Sequence, residues 1–187
     1  MTADDRLAAL AAKDAIRDVL HSYSRGLDRM DRALAESVWH GGGTADYGPA
    51  YRGSATGFLD FVWPFHAGFR SHSHLVANEF IRLDLSSGTA TSETYVAVWL
   101  QTAPEDGFVT DQIHRGRYLD RWSLRDGRWA IDHRDYVGDM FHEARHADHS
   151  PGPDMARRGA RDASDLSYAL FGAPGAAQSV SSPSSGT

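Results

Sequence analysis

Two positions of the chain carry side chains that could act together as a general base. Asp28 lies near the end of a predicted N-terminal helix, and His74 opens a strand-like segment that also contains His72. A carboxylate that accepts a hydrogen bond from one imidazole nitrogen leaves the other nitrogen free to take a proton. The sequence therefore predicts a dyad of Asp28 and His74. His72 is an alternative base, because residues two apart in a strand lie on the same face.

The elements before the histidines are predicted to be helices. Apolar residues at steps of three and four predict a long helix from about residue 4 to residue 27. Asp31 can cap a second, shorter helix, which the run 41–43 of three glycines is expected to end, and Ser54 can cap a third helix. Asp28 is therefore expected at a junction between two helices.

From His72 to about Val137 the pattern changes to that of strands. β-Branched and aromatic residues are frequent there, and turn-forming clusters interrupt the segment at 86–88, 104–107 and 125–127. The Asp-Gly pair in the last cluster is a strong hairpin signal. Helices followed by long strands predict an α+β fold, in which an antiparallel sheet curls around the N-terminal helices.

Length and composition restrict the possible functions. The 187 residues suit one domain, and the absence of cysteine removes disulfides, thiolate nucleophiles and cysteine-based metal sites. With 25 acidic and 19 basic residues the net charge is −6, which argues against nucleic acid as a partner. No apolar run suggests a signal peptide or a membrane span, so a cytoplasmic protein without membrane contact is expected.

Three regions are expected along the chain. Residues 1–145 are predicted to form the α+β domain, and residues 146–177 an extension that docks on this domain or on a neighbouring subunit. The polar residues 178–187 are predicted to be disordered. His142, His146 and His149 have helical spacing, but their charged, proline-containing surroundings indicate a solvated segment rather than a metal site. No metal ligands are therefore assigned.

Several short motifs occur in a defined order within residues 5–141. They are the helix with Tyr23 and Asp28, Gly48-Pro49-x-Tyr51-Arg52-Gly53, His74 with Asn78, Ser92-Glu93-Thr94-Tyr95, and the run 115–122 followed by 126–129. Their order and spacing resemble the SnoaL-like branch of the nuclear-transport-factor-2-like superfamily. The resemblance implies an α+β cone, a curved sheet around N-terminal helices that encloses one deep apolar pocket. It also implies kinship with cofactor-free dehydratases and dehydrochlorinases that use a His–Asp pair.

The resemblance implies roles for individual residues. Asp28 and His74 correspond to the catalytic pair, and Tyr23 corresponds to a pocket tyrosine that acts as a hydrogen-bond donor. The remaining residues expected to contact substrate are Tyr47, Arg134, Asn78, His72 and Trp63.

The sequence predicts a cofactor-independent lyase for a small, hydrophobic, ring-containing substrate. Dehydration is the first expectation, and carbon–carbon cleavage with release of an aldehyde would use the same base. A ketosteroid-type isomerase with a carboxylate base and a non-catalytic ligand-binding module are the alternatives. A homo-oligomer, by resemblance a trimer, is expected to form through an apolar outer sheet face around Trp99 and Trp122.

Overall fold

A computed structural model describes residues 2–149 and 157–172 of the chain. The elements are α1 (Ala3–Asp28), α2 (Arg32–Ser37), β1 (Trp39–Asp46), β2 (Arg52–Ser54), α3 (Ala55–Ala67), β3 (Phe69–Asp84), β4 (Thr89–Thr102), β5 (Phe108–Arg125), β6 (Arg128–Ala147) and α4 (Ser167–Phe171). The strands form one six-stranded sheet in the order β2-β1-β6-β5-β4-β3. Neighbouring strands are antiparallel except β1 and β6, which are parallel. The predicted α+β class is confirmed.

Helix α1 carries the side chains that close the core beneath the sheet. Thr2 and Asp5 form a reciprocal capping box at its start, which satisfies two backbone N–H groups that the helix leaves free. A buried stripe at steps of four, three and four faces the sheet, formed by Ile16, Leu20, Tyr23 and Leu27. Leu7 and Leu10 belong to the predicted apolar face but are 67% and 65% exposed, so the first turns of α1 extend beyond the core.

Asp28 lies at a junction of two helices, as expected, and α1 and α2 approach each other closely there. Gly26 lies against α2 so closely that a Cβ atom would come within 2.7 Å of the Ala35 nitrogen. Asp31 caps α2 by accepting a hydrogen bond from the Leu34 N–H at 3.0 Å. Asp28, the last residue of α1, is thereby held at a fixed place beside the sheet.

The glycine run 41–43 is a correction to the sequence analysis. These residues do not end α2, which stops at Ser37, but lie inside β1. The pairing of β1 with β6 shifts register between Trp39 and Thr44, and Gly42 has φ +84° at this irregularity. A bulged strand needs a residue that accepts positive φ without a steric penalty, which explains the glycine.

The core between sheet and helices contains buried polar side chains. Trp122 is buried on the inner face, where its indole N–H donates to Ser92 Oγ at 2.9 Å. The expectation that Trp122 lies with Trp99 on the outer face is therefore wrong, because only Trp99 is exposed. Arg134 donates two hydrogen bonds to the Asp120 carboxylate, at 2.7 and 2.8 Å, and both side chains are buried.

Beyond residue 145, the expected domain boundary, the described chain consists of the end of β6 with residues 148–149 and the separate segment 157–172. Strand β6 continues to Ala147, so His142 and His146 lie on a strand rather than a helix. Residues 157–172 contact the end of α1 of the same chain through Arg25 and Arg29. Docking of the whole extension 146–177 stays a prediction. The predicted disordered tail, 178–187, lies outside the described residues.

The sequence was expected to contain neither a membrane-spanning helix nor a metal site. Among residues 2–149 and 157–172, no helix is long and apolar enough to cross a membrane. The same residues contain no group of three or more histidine, aspartate or glutamate side chains arranged to hold a metal ion.

The buried pair of Arg134 and Asp120 generates a stability prediction. Arg134→Met is expected to lower the free energy of unfolding by about 3–5 kcal/mol, because it leaves a buried carboxylate without its partner. The double variant Asp120→Leu/Arg134→Met is expected to be less destabilised than Arg134→Met, because no unpaired charge remains. Urea unfolding of the two proteins measures the difference, and a double variant less stable than the single one would contradict this account.

Candidate active site

A cavity of about 420 Å³ lies between the inner sheet face and the helices α1 and α3. Aromatic side chains form most of its wall: Tyr47, Phe58, Phe61, Phe65, Tyr118 and Tyr136. Leu27, Val62, Val98 and Leu100 add aliphatic surface, and the polar groups come from Tyr23, His66, His74 and His114. Phe61 and Phe65 are about half exposed, so they form the mouth of the cavity. An apolar cavity with few polar groups is typical of a small-molecule site.

His74 and Asp28 form the contact that the sequence predicted. His74 Nδ1 lies 2.7 Å from Asp28 Oδ1, and the backbone N–H of His74 donates to Asp28 Oδ2 at 3.0 Å. Because the carboxylate accepts, Nδ1 carries the proton of a neutral ring and Nε2 keeps its lone pair. Asp28 does not line the cavity, whereas His74 does, so the carboxylate stands behind the imidazole.

Tyr23 and Tyr47 form a second polar site in the same cavity. Their hydroxyl oxygens are 3.3 Å apart, and both residues line the wall. Burial raises the pKa of Tyr23, an effect that the nearby Arg134 charge partly opposes, and burial raises the pKa of Tyr47 well above its usual value. Both phenols therefore remain neutral at physiological pH, and the pair can donate a hydrogen bond to an oxygen in the cavity.

Arg134 does not take the place that the sequence analysis gave it. The side chain is fully buried and is absent from the cavity wall. Its guanidinium carbon lies 4.5 Å from the Tyr23 ring centre and 3.8 Å from that of Tyr118, on the side away from the cavity, while Asp120 binds its edge. Arg134 thus supports the tyrosines from behind, because the buried ion pair and the ring stacking hold it there.

His72 is likewise not a cavity residue. Its ring is buried, and its Nε2 lies 2.6 Å from the carbonyl oxygen of Leu27, to which it must donate. His72 faces the inner side of the sheet like His74, as the strand alternation predicted, but the end of α1 covers it. Of the two histidines, His74 alone reaches the cavity.

Asn78 and Trp63 are also corrected. Asn78 has φ +54° at a bulge in β3, between Ala77 and Phe80, and is exposed on the outer side of the sheet. The bulge interrupts the strand alternation there, so Asn78 does not share the face of His74. Trp63 packs partly against the core and holds the Arg32 guanidinium 5.5 Å from its ring centre, away from the cavity.

The sequence analysis missed two cavity histidines. His66 lies on α3 and His114 on β5, and burial lowers the pKa of both, that of His66 to about 2. Periodicity could have found them, because His66 follows Val62 by four residues on the buried face of α3. His114 precedes the cavity residue Tyr118 by four on one strand face. Tyr118 and Tyr136, which also line the cavity, were not predicted as site residues either.

The fold and the cavity together define a cone-shaped α+β protein of the nuclear-transport-factor-2-like superfamily. The SnoaL-like domain model matches residues 8–135, and the chain belongs to this SnoaL-like family. A sequence comparison with curated proteins finds no match.

Solved structures of similar fold come from several proteins. A candidate scytalone dehydratase from Novosphingobium aromaticivorans is 23% identical over 75% of this chain and 91% of that chain, with a TM-score of 0.59. A type 2 hexachlorocyclohexane dehydrochlorinase, LinA, is 16% identical over 80% and 99%, with a TM-score of 0.67. The β subunit of a candidate aromatic-ring-hydroxylating dioxygenase from N. aromaticivorans is 17% identical over 72% and 94%, with a TM-score of 0.59. At these identities the likeness establishes the fold.

The buried histidines predict how stability depends on pH. Burial lowers the pKa of His72 to about 4 and that of His66 to about 2 in the folded protein, below the ordinary value of 6.5. The unfolded chain therefore binds more protons below pH 6.5, and stability is lost as the pH falls from there. Between pH 7 and pH 5 each histidine is expected to cost about 1–2 kcal/mol of unfolding free energy.

Urea unfolding at the two pH values measures this loss. His66→Phe removes one of the two buried titrating groups and is expected to show a smaller loss than the unaltered protein. His142→Gln changes an exposed histidine and serves as the matched control. Equal losses in His66→Phe and the unaltered protein would show that His66 does not contribute.

Proposed function

We propose that the protein is a cofactor-independent lyase that removes water from a small, uncharged, ring-containing hydroxylated substrate. The observation that supports this most is the arrangement of His74, whose Nδ1 is bound by a carboxylate outside the cavity while the ring lines the cavity. A base placed in this way has its proton-accepting nitrogen on the substrate side and its supporting charge on the other side.

In the proposed reaction His74 Nε2 takes a proton from a carbon of the substrate. A neutral imidazole removes only an acidic C–H proton at a useful rate, so the carbon should lie next to a carbonyl group. The C–H electron pair passes to the adjacent carbons and the carbonyl oxygen. The imidazolium formed at His74 is stabilised by the Asp28 carboxylate bound at its Nδ1.

The second half of the reaction expels the hydroxyl group at the next carbon. The C–O bond breaks as the carbon–carbon double bond forms, and the departing oxygen takes a proton to leave as water. The Tyr23–Tyr47 pair is placed to donate a hydrogen bond either to this oxygen or to the enolate oxygen. The imidazolium of His74 gives its proton to this departing oxygen and so becomes neutral again. The cycle therefore needs no other reactant.

The cavity wall indicates the class of substrate. No lysine, arginine, aspartate or glutamate is among its lining residues, and burial keeps His66 and His114 neutral. A charged group would lose its hydration there without a counter-charge, which costs several kcal/mol per ion. Stacked rings such as Tyr47 with Phe58, with centres 3.9 Å apart, favour a flat ring as ligand. A cyclic β-hydroxy ketone meets all these conditions.

Carbon–carbon cleavage with release of an aldehyde could use the same base and remains within the proposed lyase class. A ketosteroid-type isomerase is less well supported, because its carboxylate base has to contact the substrate and Asp28 lies outside the cavity. A pure binding module would not need the Asp28–His74 contact at all.

The proposal is tested with a panel of uncharged cyclic β-hydroxy ketones. Mass spectrometry measures turnover as the loss of one water. With the substrate so found, His74→Ala is expected to lower kcat by roughly 10²–10⁴-fold, the usual scale of general acid–base catalysis. Asp28→Asn should approach this loss, because the ring is then held in the wrong tautomer and its cation is unsupported. Tyr23→Phe should lose less, because Tyr47 still offers a hydroxyl group.

The double variant of His74 and Asp28 is expected to be little worse than either single variant, because the two residues act as a unit. His142→Ala changes an exposed histidine and is the control. Full turnover by His74→Ala would refute the dyad mechanism. An isomerised product without loss of water would favour the isomerase.

We further propose that the chain forms a homo-oligomer, by resemblance a trimer, through the outer face of the sheet. Exposed apolar side chains on β3, β4 and β6 lie next to each other there: Leu75, Tyr95, Trp99 and Met140. Trp99→Glu should place charge in the interface and yield monomers, whereas Leu124→Glu, at an exposed position near a hairpin turn, should not. Light scattering at micromolar concentration measures the mass, and a monomeric unaltered protein would contradict the proposal.

A further inference from the structure

The segment 157–172, termed here the C-terminal strap, is anchored to the end of α1. Arg29 forms an ion pair with Asp165 at 3.3 Å, and Arg25 donates to Ser167 Oγ at 3.1 Å. Asp165 also accepts hydrogen bonds from the backbone N–H groups of Ala160, at 2.9 Å, and Ser167, at 3.0 Å. These contacts fix the strap's backbone beside the helix end that carries Asp28.

From this anchored segment Arg161 reaches inward to the connection between α3 and β3. Its guanidinium donates to the carbonyl oxygen of His66 at 2.7 Å and to that of Phe69. These carbonyls belong to the last turn of α3 and to the first residue of β3. One side chain of the strap therefore binds the two elements that carry His66 and His74.

The same guanidinium faces His72, and the hydrogen bonds of His72 agree on its tautomer. Arg161 Nη2 lies 3.5 Å from His72 Nδ1, and an arginine can only donate, so this nitrogen must be the unprotonated one. On the other side His72 Nε2 lies 2.6 Å from the Leu27 carbonyl, which can only accept, so Nε2 must carry the proton. The chain of contacts from Arg161 through His72 thus ends at the residue before Asp28.

We propose that Arg161 is a positioning residue for the Asp28–His74 dyad, through which the C-terminal strap completes the active site. It holds His72 neutral in the Nε2–H tautomer, and His72 in turn holds the end of α1 against β3. The proposal rests on the proposed function only in giving the dyad a catalytic purpose. The strap lies beyond the family match to residues 8–135, so this contribution comes from the chain's own extension.

The charges around His72 explain why its protonation state matters. Four groups face it: Arg161 from the strap, Asp28 from α1, His66 from α3 and His74 from its own strand. Burial lowers the pKa of His72 to about 4, and Arg161 and His74 add to this, while Asp28 opposes it. A protonated His72, with Nε2 only 4.0 Å from Asp28 Oδ1, would compete with His74 for the carboxylate. Arg161 therefore adds to the effect of burial in keeping His72 neutral, which leaves the Asp28 carboxylate to His74.

Nitrogen-15 NMR of histidine-labelled full-length protein tests this directly, because ring nitrogen shifts report both tautomer and titration. Arg161→Met is expected to raise the titration midpoint of His72 by one pH unit or more and to reduce its fraction of Nε2–H tautomer. Arg161→Lys keeps a cation and should stay closer to the unaltered protein. Arg121→Met, which removes an exposed arginine of β5, is the matched control.

An unchanged midpoint and tautomer of His72 in Arg161→Met would overturn the proposal. If that variant does not fold, as judged by circular dichroism, Arg161→Gln replaces it, since the amide can still donate to a carbonyl but carries no charge. The same rise is expected there, and its absence overturns the proposal equally.

Kinetics separate this proposal from the proposed function. On a substrate turned over by the unaltered protein, Arg161→Met should lower kcat by roughly tenfold and shift the acidic limb of the pH profile, with a small change in KM. If His74→Ala kept full turnover while His72 still changed in Arg161→Met, the catalytic proposal would fail and the positioning of His72 would stand. The NMR experiment thus tests the effect of Arg161 on His72 without any substrate.

Discussion

Two hydrogen bonds from His74 to the Asp28 carboxylate join the N-terminal helix α1 to the sheet. Asp28 accepts from both the backbone N–H and the ring of His74, so the end of α1 and the start of β3 cannot move independently. The tight approach of Gly26 to Ala35 and the hydrogen bond from His72 to Leu27 set the helix end from the other sides. Orientation of a base within a few tenths of an ångström demands such redundancy, because a looser imidazole would lose the benefit of proximity.

The cavity depends on a second buried interaction that never touches it. The Arg134–Asp120 pair lies beneath Tyr23 and Tyr118, and its positive end faces their rings. Burying an ion pair is costly by itself, so we attribute its role here to the positive charge that it keeps beside Tyr23 and Tyr118. That charge opposes the effect of burial on Tyr23 and favours any negative charge that develops on an oxygen bound at its hydroxyl group.

Local signals in the sequence predicted the fold well, since caps at Asp31 and Ser54 and the periodicity of α1 depend on a few neighbouring residues. The contact between Asp28 and His74 follows from the same signals, and its catalytic role stays a prediction. The failures have a common physical cause. Asn78 and the glycines 41–43 lie at bulges, where one extra residue reverses the strand alternation without leaving a motif. Arg134 was assigned by analogy, and its position depends on a partner fourteen residues away that only the hairpin pairing brings close.

The histidines show how a low-dielectric site can distribute roles among identical side chains. His66, His72 and His74 lie with ring centres within 6 Å of each other, so at most one of them can carry charge at moderate cost. Burial and Arg161 disfavour the cation at His66 and His72, whereas His74 alone of the three donates a ring hydrogen bond to the Asp28 carboxylate. Protonation of His66 and of His72 is therefore disfavoured. The Arg161 cation lies beside His72, whereas the Asp28 carboxylate binds His74. This difference in neighbouring charge supports His74, rather than His72, as the base of the proposed reaction.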